Sequence, residues 1–163
     1  MRVSVILFAL AAALAALPVR ALDIKPLVGG SWQELLKEHA GKSLVVHFWG
    51  LTCAPCIAEL PRWAALQRER PNMAIVLVAS DPAPADLDAQ AAVLNKAGLS
   101  EVESWSFADP FTERLRHDID PRWRGELPRT IQVGRDGTRN ATVGPADLRA
   151  IRNWFDADVG RKP

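Results

Sequence analysis

The sequence predicts one α/β domain with a central mixed β-sheet flanked by helices. The chain has 163 residues, which is the length of a single domain. Apolar runs of strand type alternate with segments of helical periodicity, and this alternation is typical of parallel sheets. A hairpin signal, Arg135-Asp-Gly137, then joins the last two predicted strands in antiparallel order. No internal repeat or long linker divides the chain.

The first half of the chain supplies two helices and two buried strands. The pattern Ser31-Trp-Gln-Glu34 has the form of a capping box and predicts a helix that continues to about Ala40. Residues 43–49 and 73–79 are almost continuously apolar, as expected for strands covered on both faces of a parallel sheet. Between them, residues 53–69 have an approximate helical apolar face.

The second half continues the alternation and ends with a hairpin and a helix. In chain order we predict a helix over 85–97, a strand over 104–107, a helix over 110–116, strands over 130–133 and 138–143, and a helix over 145–156. The last helix is amphipathic, since Leu148, Ile151 and Phe155 lie on one side of it.

Composition excludes several classes of protein. Hydrophobic residues make up 48% of the chain and charged residues 24%, so it is neither disordered nor a low-complexity array. The formal net charge is +1, from 20 basic and 19 acidic residues, which argues against a basic nucleic-acid-binding surface. No run of like charges forms a polybasic membrane patch. We therefore expect no nucleic-acid partner.

The N-terminus is typical of an export signal. A short positive region precedes an apolar run over residues 3–17, and small or branched residues follow at the positions expected for cleavage after Ala21. The run is shorter than the ~20 residues of a spanning helix. An uncleaved anchor is the alternative, because Arg20 makes the cleavage site imperfect. We expect residues 1–21 to be the signal and residues 22–163 to be a periplasmic or otherwise exported domain, tethered to the inner membrane only if the signal is uncleaved.

The two cysteines form a C-x-x-C motif, Cys53-Ala54-Pro55-Cys56, where the first buried strand gives way to a helix. A helix N-terminus carries partial positive charge and free N–H groups, which stabilise a thiolate. Cys53 is therefore the predicted nucleophile, with a lowered pKa. Cys56, one turn further in, is placed to attack a mixed disulfide. Pro55 lies in the first helical turn, where its missing N–H removes no helical bond.

Other roles for these cysteines have weaker support. A purely structural disulfide would close a four-residue loop and contribute about 2 kcal/mol, against about 4.7 kcal/mol for a 100-residue loop. A structural zinc site needs four ligands, and the further candidates His39, His47 and His117 have no recognised ligand spacing. A two-thiolate Cu(I) site stays open, because thiolates are soft ligands. We expect a redox-active cysteine pair with no cofactor and no metal.

The residues around the motif resemble a known family. The segment 46–61, with Phe48-Trp49 before C-x-P-C and Glu59 after it, resembles the thioredoxin superfamily, and more closely its TlpA/ResA-type exported thiol–disulfide oxidoreductases. A second landmark, Leu127-Pro128-Arg129-Thr130 followed by the hairpin, resembles the cis-proline loop of that family. The resemblance covers roughly residues 25–158 and implies a thioredoxin-like fold.

The spacing of the two landmarks implies an insertion. Cys53 and Pro128 are 75 positions apart, which exceeds the separation in a plain thioredoxin. The excess is about one strand–helix unit, since a βαβ unit takes about 30 residues. The resemblance places an inserted βα unit between the C-x-x-C motif and the cis-proline, within residues 75–108.

The resemblance also implies roles for individual residues. Pro128 would be a cis-proline that keeps a backbone N–H away from the thiolate, and Leu127 would offer its backbone to an extended substrate. Only about 5–6% of X–Pro bonds are cis, so this assignment rests on the resemblance alone. Glu59 would tune the cysteine pKa, and it lies three residues after Cys56 on a neighbouring helical face. An ordinary solvated helix residue is the alternative for Glu59.

Some positions depart from the family pattern. Thr52 replaces the usual Trp before the first cysteine; its hydroxyl can cap the helix, but the substrate-docking surface loses a flat aromatic. His47 occupies the position of a buried acid in plain thioredoxins, which makes it a candidate proton relay, with a hydrogen-bonded core histidine as the alternative. Trp123 precedes the cis-proline loop and is a candidate for the substrate groove. His39 and His117 are expected to be solvated.

These observations predict an exported thiol–disulfide oxidoreductase that reduces partner proteins through a Cys53/Cys56 dithiol–disulfide cycle. The resemblance implies a disulfide-containing client protein, in cytochrome c maturation, copper-site assembly or general thiol homeostasis. It also implies a membrane thiol electron donor, and we expect a monomer. Two alternatives remain: a DsbA-like oxidase that uses the same cysteines in the opposite direction, and a non-enzymatic Cu(I)-binding module. Ala54-Pro55 lacks the His that often makes such motifs strongly oxidising, which weighs against the oxidase.

Overall fold

The computed structural model describes residues 22–160, which form a six-stranded sheet with helices on both faces. In chain order the elements are β1 (Ile24–Leu27), α1 (Ser31–Glu38), β2 (Leu44–Trp49), α2 (Ala54–Glu69), β3 (Ala74–Ala79), α3 (Leu87–Ala97), β4 (Glu103–Phe107), α4 (Thr112–Ile119), β5 (Arg129–Val133), β6 (Arg139–Val143) and α5 (Leu148–Gly160). The strand order is β1-β4-β3-β2-β5-β6. β1 to β4 run parallel to one another, β5 runs antiparallel to β2, and β6 runs antiparallel to β5. The predicted mixed α/β fold is confirmed.

β2 lies at the centre of the sheet and every one of its residues is buried. Val45 and Trp49 pack into the hydrophobic cluster beneath α2, α3 and α5. Val46 and Phe48 pack into the cluster on the opposite face, beneath α1 and α4. Burial of each such side chain contributes about 1.5–3 kcal/mol. A strand covered on both faces needs a continuous apolar run, and this explains the sequence of 43–49.

The predicted insertion is present between the two landmarks. After α2 and β3, the chain adds α3 and β4 before it reaches Pro128. β4 pairs with β3 on one side and with the edge strand β1 on the other. The added unit therefore widens the sheet beside β3 and leaves β2 next to β5.

The start of the described chain differs from the prediction. β1 was not predicted, because it is a four-residue edge strand that contains Pro26. The predicted capping box at Ser31 is wrong. Gly30 is the N-cap of α1, with φ 92°, and no side chain of the described residues caps this helix. The hydroxyl of Ser31 instead accepts a hydrogen bond from the N–H of Val28 at 3.1 Å. The left-handed backbone at Gly30 favours glycine, which has no Cβ.

Two helices in the second half begin and end later than predicted. α4 continues to Ile119, which is buried together with Leu115. α5 begins at Leu148 because Asp147 acts as its cap, and the Asp147 carboxylate accepts hydrogen bonds from the N–H groups of Arg149 (3.1 Å) and Ala150 (3.0 Å).

The predicted export signal over residues 1–21 lies outside the described residues. Within residues 22–160, no helix is both long enough and apolar enough to cross a membrane.

Candidate active site

Cys53 and Cys56 form a disulfide at the N-terminus of α2. Cys53 is the N-cap of the helix, and its Sγ accepts a hydrogen bond from the N–H of Cys56 at 3.3 Å. Cys56 is completely buried, whereas Cys53 is partly exposed and is flanked by the exposed Ala54 and Pro55. Of the two sulfurs, Cys53 is therefore the one that an external disulfide can approach. Pro55 lies in the first turn of the helix, as predicted.

A tight loop links β2 to Cys53. The N–H of Cys53 donates to the carbonyl of Gly50 at 3.1 Å. The N–H of Leu51 donates to Oδ1 of Asp81, which lies just beyond β3, at 2.9 Å. Thr52 is exposed and does not cap α2, because Cys53 occupies the cap position itself; the predicted Thr52 cap is wrong. An exposed Thr52 remains next to the reactive sulfur.

The cis-proline loop lies beside this loop. The Leu127–Pro128 bond is cis, as the resemblance predicted. The register of β2 and β5 pairs Phe48 with Arg129, so Leu127 and Pro128 continue alongside the end of β2. A Cβ added at Gly50 would lie 3.5 Å from Cδ1 of Leu127. Leu127 also packs, partly buried, against the hydrophobic cluster that Cys53 contacts.

Trp123 supports this loop from inside the protein. Its side chain is only 2% exposed, and its ring centroid lies 4.8 Å from that of Phe48. The predicted place of Trp123 in a substrate groove is wrong, because the indole faces the core. Its Nε1–H donates to the carbonyl of Glu126 at 3.1 Å, immediately before Leu127. Trp123 thus holds the backbone that leads into the cis-proline.

His47 and Glu59 meet beneath the redox loop. Nε2 of His47 lies 3.2 Å from Oε1 of Glu59, within ion-pair distance, yet the approach is not aligned as a hydrogen bond. Nδ1 of His47 shares a hydrogen bond with Oγ1 of Thr130 at 3.0 Å. The other carboxylate oxygen of Glu59, Oε2, accepts from the N–H of Ala146 at 2.8 Å. The Glu59 side chain is therefore not an ordinary solvated helix residue.

The surroundings of this pair are apolar and closed. His47 is completely buried, Glu59 is 4% exposed, and the Trp63 ring is tilted against the imidazole with 4.6 Å between the ring centroids. Burial makes unpaired polar atoms costly, and among the described residues neither Oε1 of Glu59 nor Nε2 of His47 has a hydrogen-bond partner. Glu59 lies on α2 three residues after Cys56, on a neighbouring face of the same helix turn.

Sequence reasoning missed three groups at this site: Asp81, Thr130 and the N–H of Ala146. Thr130 is the register partner of His47 in the antiparallel β2–β5 pair, so the predicted strands carried a signal for it. Asp81 and Ala146 lie in loops, and no periodic pattern points to either of them.

Comparison with known proteins identifies the fold. No protein-family model matches the chain, and no curated protein matches it. Solved structures do match. A secreted Mycobacterium tuberculosis disulfide oxidoreductase homologous to E. coli DsbE is 22% identical with TM-score 0.59, over 74% of this chain and 85% of that chain. A thiol:disulfide interchange protein of the thioredoxin family from Chlorobium tepidum is 20% identical with TM-score 0.61, over 77% and 85%. StoA from Bacillus subtilis is 17% identical with TM-score 0.53, over 71% and 83%.

The chain has a thioredoxin fold. The predicted resemblance is confirmed at that level, and these similarities place the Cys53–Cys56 pair on a scaffold shared with thiol–disulfide proteins. Within residues 22–160, no group of three or more His, Cys, Asp or Glu side chains is arranged to hold a metal ion.

Carboxylates shape the loop that precedes the cis-proline in this thioredoxin fold. The N–H of Arg122 donates to Asp120, which lowers the pKa of that carboxyl, and the nearby Arg129 guanidinium lowers it further. Arg129 also pairs directly with Asp120 and lies over the Trp123 ring, 5.4 Å from its centroid. Backbone N–H groups of Glu126 and Arg124 lower the pKa of the Glu126 carboxyl. Ionised carboxylates thus hold this loop at neutral pH.

Proposed function

We propose that this protein is a thiol–disulfide oxidoreductase that reduces disulfides in partner proteins. The observation that carries the proposal is the geometry of the cysteine pair. A partly exposed Cys53 at the N-terminus of α2 is bonded to a buried Cys56, beside a cis-proline loop on a thioredoxin fold. A disulfide across so short a loop contributes about 2 kcal/mol to stability, which supports a chemical role over a structural one.

The reaction transfers two electrons to the partner. In the reduced protein, the Cys53 thiolate attacks one sulfur of the partner disulfide, and the other partner sulfur leaves as a thiolate. Cys56 then loses its proton and attacks Sγ of Cys53. The mixed disulfide breaks, the second partner sulfur leaves, and the Cys53–Cys56 disulfide forms. Both partner sulfurs end as thiols after protonation.

The second step needs a proton acceptor for Cys56, and Glu59 with His47 supplies one. Cys56 is buried, so bulk water is a poor acceptor for its proton. Oε1 of Glu59 has no hydrogen-bond partner within residues 22–160, and Glu59 lies one turn along the same helix. His47 stands 3.2 Å from that oxygen, and Thr130 orients its ring. An imidazole can donate or accept a proton, so His47 at this distance is suited to take part in the transfer.

The proposed client and electron donor are those that the family resemblance implies. One neighbour is described as secreted, which supports export of this chain. A reductase in an oxidising space has to be reduced again, which calls for a membrane thiol donor. Its clients are disulfide-containing proteins of cytochrome c maturation, copper-site assembly or general thiol homeostasis. Thr52 and the backbone of Leu127 flank Cys53 and are the proposed substrate contacts.

The test is catalysed reduction of a protein disulfide. With dithiothreitol as donor and insulin as substrate, the wild-type protein accelerates disulfide reduction, and Cys53→Ser reduces the rate to the dithiothreitol background. Cys56→Ser traps a mixed disulfide through Cys53. Ala150→Ser, an exposed position on α5, controls for the added hydroxyl and retains the wild-type rate.

Two results would overturn this proposal. One is a wild-type rate equal to the background. The other is Cu(I) binding tighter than that of a small-thiol competitor in a protein that catalyses no exchange, which would identify a copper-binding module instead.

A further inference from the structure

The carboxylate of Asp81 reaches the redox loop from the end of the neighbouring strand β3. Asp81 lies just beyond β3, and its Oδ1 accepts the N–H of Leu51 at 2.9 Å. A Cβ added at Gly50 would lie 3.1 Å from the same oxygen, so Gly50 allows the carboxylate to approach the backbone closely. Asp81 therefore contacts the loop at the two residues that form the turn into Cys53.

The other end of Asp81 is held by the inserted helix. Gln90, on α3, is completely buried, and its Nε2 donates to Oδ2 of Asp81 at 3.0 Å. In the part of the chain that the structure describes, Oε1 of Gln90 has no hydrogen-bond partner. A hydrogen-bonded chain from Gln90 through Asp81 to Leu51 thus connects the α3–β4 unit to the loop that carries the reactive cysteine.

The position of this loop decides how Cys53 is stabilised. Cys53 acts as the N-cap of α2 only while its sulfur faces the N–H of Cys56, and that N–H is one of the groups that would stabilise a thiolate. Two hydrogen bonds hold the loop: the N–H of Cys53 donates to the carbonyl of Gly50, and the N–H of Leu51 donates to Asp81. A hydrogen bond to a carboxylate is stronger than one between neutral groups.

We propose that Asp81, oriented by Gln90, is a positioning residue that keeps the Cys53 sulfur aligned with the N–H of Cys56. Asp81 acts through the loop and does not touch the reacting sulfur atoms. Its meaning for catalysis rests on the proposed function, but its effect on the reactivity of Cys53 can be measured without any partner disulfide.

The experiment measures the alkylation rate of Cys53 by iodoacetamide in the fully reduced protein, between pH 5 and pH 9, with peptide mapping to separate Cys53 from Cys56. Asp81→Asn keeps an acceptor oxygen for Leu51 but removes the charge and the acceptor for Gln90, whereas Asp81→Ala removes all three. Comparing these two variants isolates the hydrogen bond from Leu51. We expect alkylation about three- to tenfold slower in Asp81→Ala than in Asp81→Asn below the thiolate midpoint, with the midpoint shifted to higher pH.

Two further variants keep the proposal falsifiable if Asp81→Ala fails to fold. Gln90→Met preserves side-chain size and the Asp81 charge but removes the donor, and we expect alkylation about two- to threefold slower than in the wild type. Asp86→Ala is the matched control: Asp86 caps α3 through the N–H of Ala89 at 2.9 Å, so this variant weakens the same helix. We expect its alkylation profile to match the wild type.

Equal profiles for Asp81→Ala and Asp81→Asn would overturn the proposal, as would a Gln90→Met profile equal to the wild type. A loss in Asp86→Ala as large as that in Asp81→Ala would also overturn it, because general weakening of α3 would then explain the effect. These outcomes are separate from failure of the proposed function, which would appear as absent insulin reduction by a wild-type protein with normal Cys53 alkylation.

Discussion

Two His–Glu pairs in this protein contain the same side chains in different surroundings. His47 and Glu59 are buried between β2 and α2, 3.2 Å apart. His39 and Glu103 join the end of α1 to the start of β4 near the surface, where Nε2 of His39 donates to Oε2 of Glu103 at 3.1 Å. His39 was expected to be solvated, but its side chain is only 14% exposed. The two pairs differ chiefly in how many donors each carboxylate receives.

Glu103 accepts hydrogen bonds on both of its carboxylate oxygens. Besides His39, it accepts from Nζ of Lys25 and from Nε1 of Trp105, both at 2.9 Å. The His39 hydrogen bond, followed by those of Lys25 and Trp105, lowers the pKa of Glu103 to about 2. This carboxylate stays ionised across the physiological range and serves as a structural anchor.

Glu59 accepts one backbone N–H, and its second oxygen, 3.2 Å from His47, accepts no hydrogen bond from the described residues. It also lies one helical turn from a cysteine, which Glu103 does not. Under the proposed function, the pair whose carboxylate has an unbonded oxygen near the cysteines serves proton transfer. The pair whose carboxylate accepts three donors joins α1 to β4.

The largest expected contrast between the two pairs is in the rate of the closing step after each carboxylate is removed. Glu59→Gln is expected to slow the closing step, in which Cys56 attacks the mixed disulfide, by about 100-fold, because general-base assistance contributes about 10²–10⁴-fold. Glu103→Gln is expected to leave this rate unchanged. The measurement is single-turnover release of a thiol from a preformed mixed disulfide at Cys53, followed by stopped flow.

A closing rate in Glu59→Gln equal to that of Glu103→Gln and of the wild type would show that Glu59 takes no part in proton transfer. Both variants preserve side-chain shape, so each controls for the other's loss of charge.

Removal of a neutral hydrogen-bond partner from His47 or Glu103 should change the closing rate less than removal of Glu59. Thr130→Val leaves Nδ1 of His47 buried without a partner, which should lower the free energy of unfolding by about 1–3 kcal/mol and slow the closing step several-fold. Trp105→Phe removes one donor from Glu103, which retains His39 and Lys25, and should leave the closing step unchanged. Urea denaturation and the single-turnover assay measure the two quantities.

A Thr130→Val protein with the wild-type closing rate would contradict the orienting role of Thr130. Loss of stability alone, without a change in that rate, would make the hydroxyl a packing and hydrogen-bonding group only.

The smallest expected effect is a pH dependence of the stability that Glu103 contributes. The folded-state pKa of Glu103, about 2, lies below its ordinary value of 4.5, so its stabilisation is present above about pH 4.5 and is lost as the pH falls through 2. The difference in urea midpoint between wild type and Glu103→Gln should therefore shrink between pH 5 and pH 2. A constant difference over this range would show that the carboxylate charge does not contribute.

Sequence was informative wherever burial imposes a pattern. The continuous apolar run of β2 predicted a strand covered on both faces, and the cysteines at its end predicted the N-terminus of α2. The family resemblance supplied Pro128, whose cis bond no periodicity could indicate. These features are local in sequence or belong to a known motif.

The contacts between elements were beyond sequence reasoning. His47 and Glu59 were each singled out, but their meeting depends on how α2 packs across β2. Asp81 is an isolated loop residue 30 positions after Leu51, and only the parallel pairing of β2 with β3 brings them together. The prediction that Trp123 lies in a substrate groove was wrong, because an indole near a loop can face either the solvent or the core.

The most direct test of the account is the reduction potential of the Cys53–Cys56 pair, measured by equilibration of the protein in graded thiol–disulfide buffers. A reductase of the thioredoxin or glutaredoxin type is expected to lie between about −270 and −220 mV. A value near about −120 mV would reverse the proposed direction of electron flow, since it would match a DsbA-like oxidant. A value below about −300 mV would indicate a structural disulfide and contradict a redox cycle altogether.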